Sequence, residues 1–243
     1  MDWKPYSLHF KQNYEGGYRY LDKCGEFMLQ AEKSSGFIPV ETKPTGARMQ
    51  VPEQGILASV DSQELTLIQE QPTDDGKLFL KVSMTLAGLV TSCFAPTVVV
   101  RNGFASKLCH SMKSPDAALK ASLGFGVEHQ NVLSKTVGMA ASHKNIDYTF
   151  SAGSFELHVL LRPVTFEQVA IQKWNPGFRA SATQRQNIAR LNQRTERMSK
   201  DFGYALMLEL DLMEFDPPEN SLEKHFKELK TKEAALKDAF PCK

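Results

Sequence analysis

Leu206-Met207-Leu208-Glu209-Leu210-Asp211-Leu212-Met213-Glu214-Phe215 alternates leucine with other residues over most of its length. Leu206, Leu208, Leu210 and Leu212 share one parity, and Met207, Glu209, Asp211 and Met213 the other. This period predicts a strand with one buried face and one face carrying two acids. Pro217-Pro218 ends the strand, and 221–240 follows with Leu222, Phe226, Leu229, Leu236 and Phe240 on a helical stripe. Asn220, with Glu223 three residues later, has the pattern of a capping pair. Leu229 is expected to face inward and Lys230 outward. A helix laid on a half-exposed sheet points to the α+β class.

Working back from this pair, the hairpin 147–150 and 155–163 turns across Ser151-Ala152-Gly153-Ser154. In its second arm Phe155, Leu157, Val159 and Leu161 face one way, and Glu156, His158 and Arg162 the other. Thr97–Asn102 reads as a strand, with weaker signals at 117–125 and 135–141. The stretch 78–94 fits both periods, and its length favours a helix. Further upstream, 56–60 and 64–70 form a hairpin about Asp61-Ser62-Gln63, and 48–51 is a strand. The segment 34–46 is rich in Ser, Gly, Pro and Thr and reads as a loop. Residues 18–33 read as a helix with Leu21, Cys24, Met28 and Ala31 inside, and 6–10 is a short, mixed opening. Strands, a hairpin and a covering helix thus occur twice. The expectation is two antiparallel β-rich layers or subdomains, 1–110 and 111–243, each covered by a long amphipathic helix, with a pseudo-duplication as the topological hypothesis.

The chain has 243 residues, enough to bury a sizeable core without staples. A net charge of +1 predicts no whole-molecule attraction to nucleic acid or anionic lipid. Cys24, Cys93, Cys109 and Cys242 lack C-x-x-C spacing, which argues against a zinc site and a disulfide framework. With no basic or apolar leader at Met1-Asp2-Trp3-Lys4-Pro5, a cytoplasmic location is expected. The uncharged run 82–100 is long enough to cross a bilayer. Its serines and threonines, Pro96 and Val98-Val99-Val100 read instead as a buried helix turning into a strand; no membrane partner is expected.

Ala58-Ser59-Val60-Asp61 through Leu67-Ile68-Gln69, Val99-Val100-Arg101-Asn102-Gly103, and Leu208-Glu209-Leu210-Asp211-Leu212 with its helix cover about a third of the chain. In their order these pieces resemble a sporadically distributed, numbered family of uncharacterised prokaryotic proteins of about this length. The chain departs from that pattern at Ala105, where the family strand tends to carry a second arginine, and at Glu209, where it tends to carry an aspartate. The resemblance implies no activity, cofactor or ligand.

Several groups of residues carry candidate chemistry. Glu209 and Asp211 project from one strand face about 7 Å apart, close enough to share a divalent ion or to raise one pKa. If the arm 155–163 lies beside them, Glu156, His158 and Arg162 join that face, as in a metal-dependent hydrolase or nuclease. The competing reading is a solvated sheet face with cross-strand ion pairs. Within the basic segment 173–200, Arg185, Arg190, Arg194, Arg197 and Lys200 suit phosphate oxygens and form a candidate nucleic-acid surface; a solvated connecting helix is the alternative. Cys109-His110 cannot form a dyad, because adjacent strand residues point to opposite faces. Leu123-Gly124-Phe125-Gly126-Val127 lacks the third glycine of a dinucleotide fingerprint, and G-x-x-x-x-G-K and H-E-x-x-H are absent. No cofactor and no metal site are indicated. The expectation is a non-catalytic binding protein that acts on another protein or on its own copy.

Overall fold

A computed structural model describes residues 3–124, 145–165, scattered positions between 181 and 196, and 204–240. In chain order the elements are β1 (Lys4–Glu15), α1 (Tyr20–Ser35), β2 (Ile38–Lys43), β3 (Gly46–Val51), β4 (Ile56–Val60) and β5 (Glu64–Glu70). Then come α2 (Lys77–Phe94), β6 (Val98–Met112), α3 (Pro115–Gly124), β7 (Ile146–Ala152), β8 (Phe155–Thr165), β9 (Tyr204–Phe215) and α4 (Leu222–Ala239). The described strands form a single nine-stranded antiparallel sheet in the order β2-β3-β4-β5-β1-β6-β9-β8-β7. The α+β class holds. In place of separate layers there is one sheet, continuous across the expected division, because β6 pairs with β9 from Arg101↔Phe215 to Met112↔Tyr204. The boundary drawn between residues 110 and 111 falls inside β6.

Most of the buried core lies on one side of the sheet, with a smaller apolar cluster of Cys109, Val164, Ala205 and Met207 on the other. Leu8, Phe10 and Tyr14 of β1, Phe104 and Leu108 of β6, and the four leucines of β9 share a core with the inner faces of α1, α2 and α4. β9 therefore lies as its alternation predicts. By length and composition α2 could cross a membrane, but here it lies on the sheet with Phe79, Val82, Leu86, Val90 and Phe94 buried. Gly76 starts it at φ 84°; a Cβ there would stand 2.6 Å from the Phe226 ring and 2.8 Å from Leu8, so glycine permits both the turn and the close approach of α4.

Several local expectations are corrected. β1 is twelve residues long, and its polar parity of Ser7, His9, Lys11 and Asn13 belongs to the open face. The 34–46 loop contains β2, an edge strand. In α1, Leu21 is 69% exposed, and Tyr20 and Phe27 take the inward positions. Residues 135–141 lie outside the described residues.

At the start of α4, Asn220 adopts φ 60° and Ser221 is the cap residue, with no side-chain capping bond. The Ser221 hydroxyl donates instead to Glu214 Oε2 at 3.0 Å. Lys230 is not a free outward residue: it pairs with Glu233 at 2.8 Å and with Asp75 at 2.9 Å. Glu233 sits on the buried stripe, where Ser106 Oγ donates to it at 2.8 Å and Lys230 and Lys237 supply charge. Burial pushes its carboxyl up, but these donors hold it below the usual range. A buried carboxylate thus ties α4 to β6.

Leu229 is fully buried and Lys227 exposed. Leu229→Ala is expected to cost about 2–5 kcal/mol in urea unfolding, and Lys227→Ala to stay within about 0.5 kcal/mol. Equal effects would contradict the covering role of α4.

Candidate functional site: the open face of the sheet and its outer edge

The face opposite the helices carries the acids singled out by the sequence. β8 pairs with β9 so that His158 opposes Asp211 and Leu160 opposes Glu209, which puts Glu156, His158, Arg162, Glu209 and Asp211 on one face. β6 and β1 continue that face with Arg101, Gly103, Ala105 and Lys107, and with His9 and Lys11. Gly103 and Ala105 project almost nothing, and a concavity of about 530 Å³ forms over them, rimmed by His9, Lys11, Arg101, Lys107, His158 and Asp211.

The charges around this hollow are largely engaged with one another. Glu209 takes Lys107 on Oε2 at 2.9 Å, while Arg162 donates to Oε1 through Nε at 2.9 Å and Nη2 at 2.6 Å. Burial raises the Glu209 pKa, but the bonds and charges of Lys107 and Arg162 outweigh it and leave the carboxyl below its ordinary range. Lys11 pairs with Glu64 at 2.6 Å. Asn13 Oδ1 holds Arg101 in a fork at 2.8 and 3.2 Å. His158 is bonded to Asp147 on β7. His9 lies 2.8 Å from Ser7 Oγ, and burial, with Lys107 nearby, pushes its pKa down to about 4, so it is neutral at pH 7.

Asp211 differs from Glu209. Burial raises its pKa, and the charges of Arg101, His158, Lys107 and Lys11 pull the other way without reversing the shift. The two acids are therefore shifted in opposite directions on one face: Lys107 and Arg162 lower the Glu209 carboxyl, and burial raises that of Asp211. Divalent-ion binding needs deprotonated oxygens free to coordinate, and both Glu209 oxygens are already occupied. Among the described residues no group of three or more His, Cys, Asp or Glu side chains could hold a metal ion. Glu156 lies beyond this network, opposite Met213 and Ser151.

Arg185 and Arg190 are exposed at helical positions, with Ile188 buried between them. Arg194, Arg197 and Lys200 lie outside the described residues. Cys109 and His110 are neighbours on β6 and oppose Met207 and Leu206 on β9. Burial pushes the Cys109 thiol up to about 12, the reverse of what a nucleophile needs. His9, Lys11, Arg101 and Lys107 were missed by sequence reasoning; the period-two pattern of β1 was the available signal for the first two.

At the end of the sheet the chemistry changes. Among the described residues β7 is an edge strand, and its helix-side residues Tyr148 and Phe150 are 57% and 54% exposed with ring centroids 5.9 Å apart. Beside them an apolar groove of about 480 Å³ runs between Phe150, Phe155 and Leu157 and the α4 residues Ala235 and Leu236. The opposite edge, β2, carries Pro39, a register shift between Pro39 and Glu41, and the charges of Glu41 and Lys43. These features discourage strand addition. β7 has no proline, no register shift and a single charge, Asp147. A scan against protein-family models matches none, and a search of curated proteins returns no match.

Glu209's folded pKa lies below its unfolded value, so its stabilisation is fully present above the unfolded value and disappears as pH falls through the folded one. Glu209→Gln is therefore expected to destabilise the protein by about 1–3 kcal/mol at pH 7, with the gap closing on acidification below the ordinary carboxylate range. Denaturant melts across pH test this, and a gap independent of pH would contradict it.

Proposed function

We propose that this chain is a non-catalytic binding protein in the cytoplasm that docks another protein chain along the outer edge of β7. The observation that carries the reading is the asymmetry of the two sheet edges: β2 is guarded by Pro39, a register shift and charge, whereas β7 offers exposed Tyr148 and Phe150 beside an apolar groove. Strand addition supplies affinity through main-chain hydrogen bonds and specificity through alternate side chains. The state of the acidic face favours binding over hydrolysis, since Glu209 is locked by Lys107 and Arg162. A reducing location fits the free, buried thiols of Cys24, Cys93 and Cys109.

The duplication hypothesis adds a reason for the asymmetry. From the centre outward the first half runs β1-β5-β4-β3-β2 and the second β6-β9-β8-β7. Each half begins with a central strand and a helix, places its later strands outward, and ends in a helix lying on the core. On this reading β7 corresponds to β3, and among the described residues no strand stands beside β7 as β2 stands beside β3. The duplicated unit is one strand short at the edge that we read as the docking edge.

The test is fluorescence anisotropy with a short, labelled peptide that alternates aromatic residues with threonine. It is expected to bind the wild-type chain and to lose binding to Tyr148→Lys/Phe150→Lys, with the melting temperature unchanged because both side chains are exposed. Equal binding to the two proteins, or none to either at a protein concentration where the chain is monomeric, would overturn the reading.

A further inference from the structure

Resting on the edge-docking reading, we infer that the partner at β7 is a second copy of this chain, paired antiparallel to it about a two-fold axis at Thr149. β7 runs Ile146-Asp147-Tyr148-Thr149-Phe150-Ser151-Ala152, and Thr149 is its midpoint. An isologous contact requires a patch that complements itself, with residue i meeting j and j meeting i. About Thr149 the pairs are Tyr148 with the other copy's Phe150, Asp147 with its Ser151, and Ile146 with its Ala152.

This register uses all seven residues of the strand. It sets an aromatic residue against an aromatic residue twice, and such cross-strand pairs stabilise antiparallel strands. It also keeps the two Asp147 carboxylates apart; moving the axis to Asp147 would oppose them directly, which is destabilising. Because opposed residues in an antiparallel pair point to the same side, the axis stands perpendicular to the sheet and both helix layers lie on one side of the joint. The aromatic rings of the second copy then close the open flank of the groove formed by Phe150, Phe155, Leu157 and Leu236. The open-face hollow about Asp211 is untouched, since Asp147, Thr149 and Ser151 carry that side of β7.

The geometry can be trapped. Residues opposed across antiparallel strands have Cα atoms about 4.5–5.5 Å apart, within the range of about 4.4–6.8 Å that a disulfide spans. In a Cys242→Ser background, Thr149→Cys is expected to form a covalent dimer on mild oxidation and Ser151→Cys to form none. Sedimentation velocity of the full chain over a wide concentration range is expected to show a dimer for the wild type and a monomer for Phe150→Lys, with unchanged circular dichroism and melting temperature. A wild-type chain that stays monomeric, a dimer that survives Phe150→Lys, or cross-linking through Ser151→Cys in place of Thr149→Cys would overturn the inference. A monomer that still binds the strand peptide at β7 removes the second copy and leaves edge docking standing, whereas a monomer that binds no peptide removes both.

Discussion

Phe104, in the middle of β6, is the contact on which the rest of the structure depends. Its ring centroid lies 4.8 Å from Phe10 on β1, 5.2 Å from Phe226 and 5.3 Å from His225 on α4, and 6.3 Å from Phe79 on α2. One side chain therefore joins the neighbouring central strands β1 and β6 to helices α2 and α4 that cover them. Buried aromatic pairs contribute about 0.5–1.5 kcal/mol each beyond the area they bury, whereas exposed ion pairs contribute about 0–1 kcal/mol. The fold is held from the helix side. The opposite face is thus free to carry charge, and the ends of the sheet are where the core runs out.

That division explains what the sequence disclosed. β9 and α4 were legible because each obeys a single period over its length, and Leu206, Leu208, Leu210, Leu212, Phe226 and Leu229 are all buried as their spacing requires. α2 was resolved by length where period was ambiguous. β2 was not legible, because an edge strand guarded by proline and charge has the composition of a loop. Leu21 was placed inside by its hydrophobicity, although a helix resting on a sheet buries a single stripe, and Tyr20, Cys24 and Phe27 fill it. Glu233 looked like a break in the α4 stripe. Its partners Ser106, Lys230 and Lys237 are a tertiary fact that no local pattern carries.

The acidic face was legible as a list of residues but not as chemistry. Alternation placed Glu156, His158, Arg162, Glu209 and Asp211 on one surface, and register joined them. Alternation could not show that Lys107 would arrive from β6 to occupy Glu209, or that Asp147 would draw His158 toward β7. The same acid pair could have formed a metal site or an ion-pair network, and the neighbouring strands decide between them. Edge position is likewise invisible from a strand's own residues: β7 reads as an ordinary hairpin arm until the sheet order places it last.

The central claim is that β7 is the surface through which this chain meets a partner chain while β2 is closed to one. Amide hydrogen exchange read by mass spectrometry at low and high protein concentration tests it most directly, because outward-facing amides of an edge strand exchange unless another strand covers them. The account predicts that protection of the β7 peptide rises with protein concentration while that of the β2 peptide stays constant. Protection of β7 that is already complete and independent of concentration in a chain that sediments as a monomer would mean that the edge is filled from within the same chain, and would contradict it.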